Sequence, residues 1–219
     1  MIPFFPFFWG FGVFSALLLL LIFLLIEVNV IHYALEKIGI NHRYVFLVLL
    51  LSFIGSILNI PLFEISVNAP VRETARSGMQ VIVPQQKILV AVNVGGALIP
   101  TLVSFYLLIR MVHVLRALIA VAAVSALSHS FATLVPGVGI TIPAFIPPVT
   151  AALCAVLLCR PEAPQIAYIS GSLGTLIGAD LLNLGNVGAL DSAFVSIGGA
   201  GTFDGIFFSS IIAVLLVSI

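Results

Sequence analysis

Apolar runs long enough to cross a bilayer recur along this chain, and the polar positions between them are few. A spanning helix needs roughly 20 apolar residues, and the chain holds about seven such runs. The first extends from about Phe8 to Leu35 and opens on an aromatic cluster suited to a membrane interface. Glu36, Lys37, His42 and Arg43 then form a short polar loop. The second run covers Tyr44 to Leu62, and Asn59 and Pro61 predict a kinked or unwound last turn. Phe63 to Lys87 is the longest polar segment. Its β-branched, Pro-bounded stretches predict a small β-hairpin.

The third run, Ile88 to Ile109, contains Asn93, Gly95, Gly96 and Pro100, which predict a broken helix. Such breaks are tolerated where backbone is buried in protein or lines a watered cavity. A basic turn of Arg110, His113 and Arg116 leads into a fourth span that ends near Leu134 and holds His129 between two serines. The loop Pro136 to Pro148 is rich in proline yet almost wholly apolar, so it is expected to dip into the membrane against other helices. A fifth span ends at Cys159, a sixth covers Gln165 to Leu182, and a seventh starts at Phe203 after the loop Asn183 to Thr202. The fold class expected is therefore all-α: one polytopic transmembrane helix bundle over residues 1–219, with some spans broken at Gly or Pro.

Composition supports this reading. Of the 219 residues, 62% are hydrophobic and 7% charged, against about 25% charged in soluble domains. Net charge is zero, so no basic surface argues for nucleic acid. Cys154 and Cys159 lack the spacing of a zinc site and read as small packing residues. No cofactor motif is present, and no metal is expected. The first run lacks the basic start of a secretory signal and is expected to remain as a span. Lys37, Arg43, Arg110, Arg116 and Arg160 follow odd-numbered spans, against Arg72, Arg76 and Lys87 on the other side. That bias places the N-terminus outside and the C-terminus in the cytoplasm of a cell inner membrane.

Intramembrane acids are the residues most in need of a reason. Asp180 lies near the end of span six, beyond a stripe of Ser170, Gly174 and Gly178 that would admit a close helix neighbour. Asp204 lies at the start of span seven, where a carboxylate also offsets the helix dipole. Both flank one loop, so their carboxyls can approach closely, and two close carboxyls share one proton. That supplies a general acid and a general base from one residue type. Glu27 reads as a structural acid near Lys37 or Arg43. His129 could join the two aspartates as a ligand, but a lone histidine between serines is the commoner packing residue.

The segment Gly199 to Leu216, with Asp204 inside it, resembles the second catalytic segment of the GxGD intramembrane aspartyl proteases, although Thr202 and Phe203 separate the glycine from the acid. That resemblance implies an Asp180/Asp204 dyad cleaving a membrane peptide. The whole chain, through Gly178 to Leu184 and Gly198 to Gly205, also resembles an uncharacterised family of prokaryotic multi-pass membrane proteins, a domain of unknown function. That second resemblance implies membrane location and no activity. The alternative function is a small secondary transporter or channel, in which the two acids bind a proton or cation. Asn59, Asn93, Gly95, Gly96, Pro100, His129, Gly178, Asn183 and Gly201 are the candidates for lining a substrate path. The partners expected are the lipid bilayer and either a membrane peptide or a small ion.

Overall fold

The computed structural model describes residues 28–67, 86–136, 139–190, 192–199 and 205–218. Asp204, Gly201, Glu27, Arg72, Arg76 and the N-terminal aromatic cluster lie outside these residues. Within them the chain is mostly helical with a small strand component. Helix α1 covers 28–37 and α2 His42–Gly55. Strands β1 (Asn59–Val67) and β2 (Gln86–Asn93) follow, then a π-helical turn (Val94–Leu98) that runs into α3 (Ile99–Arg110). Next come α4 (Val114–Phe131), the short strands β3 (Thr133–Val135) and β4 (Gly139–Thr141), and α5 (Ile146–Leu158). Helix α6 (Ala163–Ile169) continues as π-helix (Ser170–Gly174, Leu176–Asp180) and then as 3-10 helix (Leu181–Leu190). Strand β5 (Phe194–Ile197) and helix α7 (Gly205–Ser218) complete it.

Two strands pair at the edges of the segment expected to hold a hairpin, and residues 68–85 between them lie outside the described residues. Helix α2 stops at Gly55, and β1 pairs antiparallel with β2 from Asn59↔Asn93 to Val67↔Gln86. Strand β5 adds parallel to β2. The ends of spans two and three, read as helix, are therefore strand. A short apolar run rich in β-branched residues, such as Ile88-Leu-Val-Ala-Val92, has no periodicity that separates a buried strand from a buried helix. The glycine break beside it is where expected. Asn93 caps the π turn by accepting from Gly96 N at 2.7 Å. Within the apolar proline loop Gly139–Thr141 is strand β4, which pairs with β3 from the expected end of span four, Thr133↔Thr141 lying at the open end.

The α6 rod occupies the centre. Ile166, Ala167, Tyr168 and Ile169 are all fully buried, so every face of this turn meets protein. Helices α4, α5 and α7 pack around the rod. The stripe of small residues meets α4: a Cβ on Gly174 would lie 2.6 Å from Val124 Cβ, and one on Gly178 2.7 Å from Ser128 Cβ. A second close approach joins α2 to the π turn, where a Cβ on Gly95 would run into the Ser52 carbonyl and the Ser56 nitrogen. Both obstacles are backbone and cannot rotate away. Gly95→Ala is expected to cost about 1–3 kcal/mol through overpacking, read as a lower melting temperature of the purified protein.

A candidate acid site at the end of the central rod

Asp180 sits where the π-helical rod gives way to 3-10 helix. Ser170, Ser172 and Thr175 each turn their hydroxyl back onto a carbonyl four residues earlier, at 2.7, 2.9 and 2.6 Å. Such bonds compete with the regular ladder and accompany its widening. Asn183 ends the π segment by donating to Gly178 O (3.1 Å) and Ala179 O (2.8 Å). The half-buried Asp180 accepts from Gly198 N at 2.8 Å through Oδ2. Gly198 has φ +81°, and an added Cβ would lie 2.5 Å from Ala97 Cβ. Only glycine brings the β5 turn so close to both the π turn and the acid.

Asp180 lines a cavity of about 310 Å³ together with Thr175, Thr141, Pro143, Gly205 and Phe208. The rod, the proline-rich segment and the first turns of α7 thus share one concavity. Its Phe208 and Ile212 are each 37% exposed, so the cavity reaches the apolar outer face of α7.

The other candidates are placed differently. Asn93 is fully buried and its amide is engaged: it donates to Ser56 O (2.7 Å) and Asn59 Oδ1 (3.2 Å). Asn59 Oδ1 also accepts from Ser196 Oγ at 2.6 Å. These asparagines tie the end of α2 to β1, β2 and β5, and they satisfy the backbone freed at the glycine break. Gly95, Gly96, Pro100, Gly178 and Asn183 are buried in helix contacts, and His129 is exposed on α4. None of these residues lines the Asp180 cavity.

His113, in the basic turn after α3, is engaged in a clasp. Glu162 accepts from Val112 N (2.9 Å) and His113 N (3.2 Å), and its Oε2 lies 2.9 Å from His113 Nδ1. The clasp joins the turn after α3 to the turn after α5. Burial pushes the Glu162 carboxyl up, but the Val112 and His113 donors outweigh it and hold the group below its ordinary value. A folded-state value below the unfolded one stabilises the fold above the unfolded pKa, and that contribution is lost as pH falls through the folded value. Glu162→Gln is therefore expected to lower the melting temperature at pH 7. The gap to the wild type should close as melts are repeated at pH 4 and below.

Neither curated proteins nor solved structures provide a match to the chain. A family model described as "Protein of unknown function (DUF1614)" matches residues 53–216, which include both acid-bearing segments. The match covers most of the chain, which therefore belongs to the DUF1614 family.

Proposed function

We propose that this chain is a multi-pass integral membrane protein in which Asp180 and Asp204 act as the acid pair of an intramembrane aspartyl hydrolase. Membrane residence is supported by the way α2 is turned. Its buried residues are Val45, Ser52 and Gly55, while Phe46, Leu50 and Phe53 face outward. A helix beside water reverses that order. Helix α4 (Val114–Phe131) is also long and apolar enough to cross a bilayer.

One observation carries the hydrolase reading: the cavity lined by Asp180 is also lined by Gly205, the residue that follows Asp204. In the proposed reaction one carboxylate takes a proton from water as the water oxygen bonds to the substrate's carbonyl carbon. The protonated partner gives its proton to the carbonyl oxygen. Collapse of the tetrahedral intermediate then breaks the C–N bond, and the amine leaves with a proton from the acid pair. The exposed apolar side chains on the cavity's α7 wall suit lateral entry of a membrane peptide.

Proximity of the pair is the first test. With Cys154 and Cys159 replaced, an Asp180→Cys/Asp204→Cys chain is expected to form a disulfide on oxidation, which requires Cα atoms within about 7 Å. Failure of both oxidation and a short bifunctional thiol reagent to join the two positions would remove the dyad. The rival reading is transport of a proton or cation. It is favoured by the interrupted helices at Val94–Leu98 and Ser170–Leu190, because broken helices line ion sites in secondary transporters.

A further inference from the structure

We propose that His32, Glu36 and His42 form a binding site for a divalent transition-metal ion of the zinc class. The site goes beyond the acid pair and lies at the other end of the molecule. The α1–α2 turn shares a groove with Arg110 at the end of α3, and the following turn is clasped to the start of α6 by Glu162. Asp180 is at the far end of the α6 rod.

Local structure converges the three donors. His32 and Glu36 are four residues apart on α1 and so share one face. The other face of α1 is anchored, with Ala34 and Leu35 fully buried. Gly39, at φ +92°, reverses the chain, and Gly39 N and Ile40 N close the turn on Glu36 O (2.9 Å) and Leu35 O (3.2 Å). Asn41 then caps α2 by accepting from Arg43 N at 3.1 Å. His42, the first residue of α2, is thereby returned over His32 and Glu36.

Three ligand atoms therefore converge. His42 Nδ1 lies 2.6 Å from Glu36 Oε1, His32 Nε2 lies 3.2 Å from the same oxygen, and the two ring nitrogens are 2.9 Å apart. The rings meet edge to face, with centroids 4.6 Å apart and planes at 74°. Donors on a tetrahedral zinc ion lie about 3.3 Å apart, so lengthening the three contacts by about 0.1 to 0.7 Å seats it.

Hydrogen bonds to an ionised Glu36 make two of the three contacts attractive at best. A ring nitrogen carries at most one proton, directed along one in-plane line. With both nitrogens protonated, two N–H groups oppose each other. With one bare, its lone pair faces the carboxylate oxygen. A cation at the centre makes all three contacts attractive at once. Two imidazoles and a carboxylate suit zinc and its neighbours rather than magnesium or calcium. His42 is 75% exposed, so the ion keeps an open coordination position toward solvent.

A second cluster, His113, Cys159 and Glu162, also brings three ligand atoms together. There Glu162 is already occupied by two backbone amides, and Cys159 is buried.

The test uses the full chain in detergent, stripped with EDTA and titrated with Zn²⁺ against a fluorescent chelator, then with Co²⁺ read by visible absorption. The expected result is one Zn²⁺ per chain and a Co²⁺ spectrum without a thiolate charge-transfer band. His32→Ala, Glu36→Gln and His42→Ala should each weaken the Zn²⁺ Kd by roughly tenfold or more, while Glu162→Gln leaves it unchanged. Three results would overturn the proposal: no Zn²⁺ uptake by the wild type, a thiolate band in its Co²⁺ spectrum, or undiminished uptake in all three variants. The wild-type titration decides the matter even for a variant that fails to fold.

Discussion

Asp180→Asn is expected to lower cleavage of a membrane-embedded peptide by at least about a hundredfold in reconstituted protein, the usual scale for removing a general acid or base. The substitution is informative because it spares the fold. An asparagine oxygen still accepts from Gly198 N, the bond Asp180 makes at 2.8 Å. The side-chain volume hardly changes, so the neighbouring cavity keeps its shape. Melting temperature should therefore stay near that of the wild type while activity falls, and Asp204→Asn should behave alike. Equal cleavage by both variants and the wild type would end the hydrolase reading. If neither the variants nor the wild type cleaves, but the variants lose a proton or cation flux seen in wild-type vesicles, the transport reading takes its place.

Part of this architecture was legible in the residues because it follows from single side chains. The break at Asn93-Val-Gly-Gly has a local cause, and so does the small-residue approach at Gly174 and Gly178. Both are where the sequence puts them. The polar asparagines also serve the backbone, one of the two roles their position beside Pro or Gly allows. The strand identity of Ile88 to Val92 was not legible, since apolar residues at every position suit a buried strand and a span alike. Its partners, Ile60 to Ile65 and Phe194 to Ile197, are remote in the chain.

The His32, Glu36 and His42 cluster was missed for a related reason. His32 falls inside an apolar run and reads as part of a span, whereas Glu36 and His42 read as a solvated loop. The available signal was the four-residue spacing of His32 and Glu36 followed by a glycine turn. That turn holds Gly39 at positive φ, and the backbone bonds closing on Leu35 and Glu36 return His42 to the pair. The widening of α6 into π-helix was likewise hidden. Serine and threonine are visible as composition, but which of them bond back to the ladder and widen it is set in the packed rod.

Gly198→Ala is expected to destabilise the protein by about 2–5 kcal/mol, combining a left-handed backbone cost with overpacking. Each part has its own cause. At φ +81° an L side chain is strained whatever surrounds it, and here the new Cβ would also lie 2.5 Å from Ala97 Cβ and 2.7 Å from Ala97 N. The alanine methyl has no rotamer to escape into, and the nitrogen belongs to the buried π turn. Relief would have to come from moving the end of β5, but Ile197 is paired with Val92, and Gly198 N is bonded to Asp180. Stability and the orientation of the acid are therefore coupled through one residue, and the variant should lose both melting temperature and cleavage. Gly185→Ala provides the contrast, because nothing lies within 4 Å of a Cβ there and φ is not positive. It should melt at or slightly above the wild-type temperature. Adding Ala97→Gly to Gly198→Ala removes the methyl but leaves the nitrogen contact and the φ penalty. Recovery should therefore be partial, whereas full recovery would mean that the backbone strain assigned to Gly198 is small.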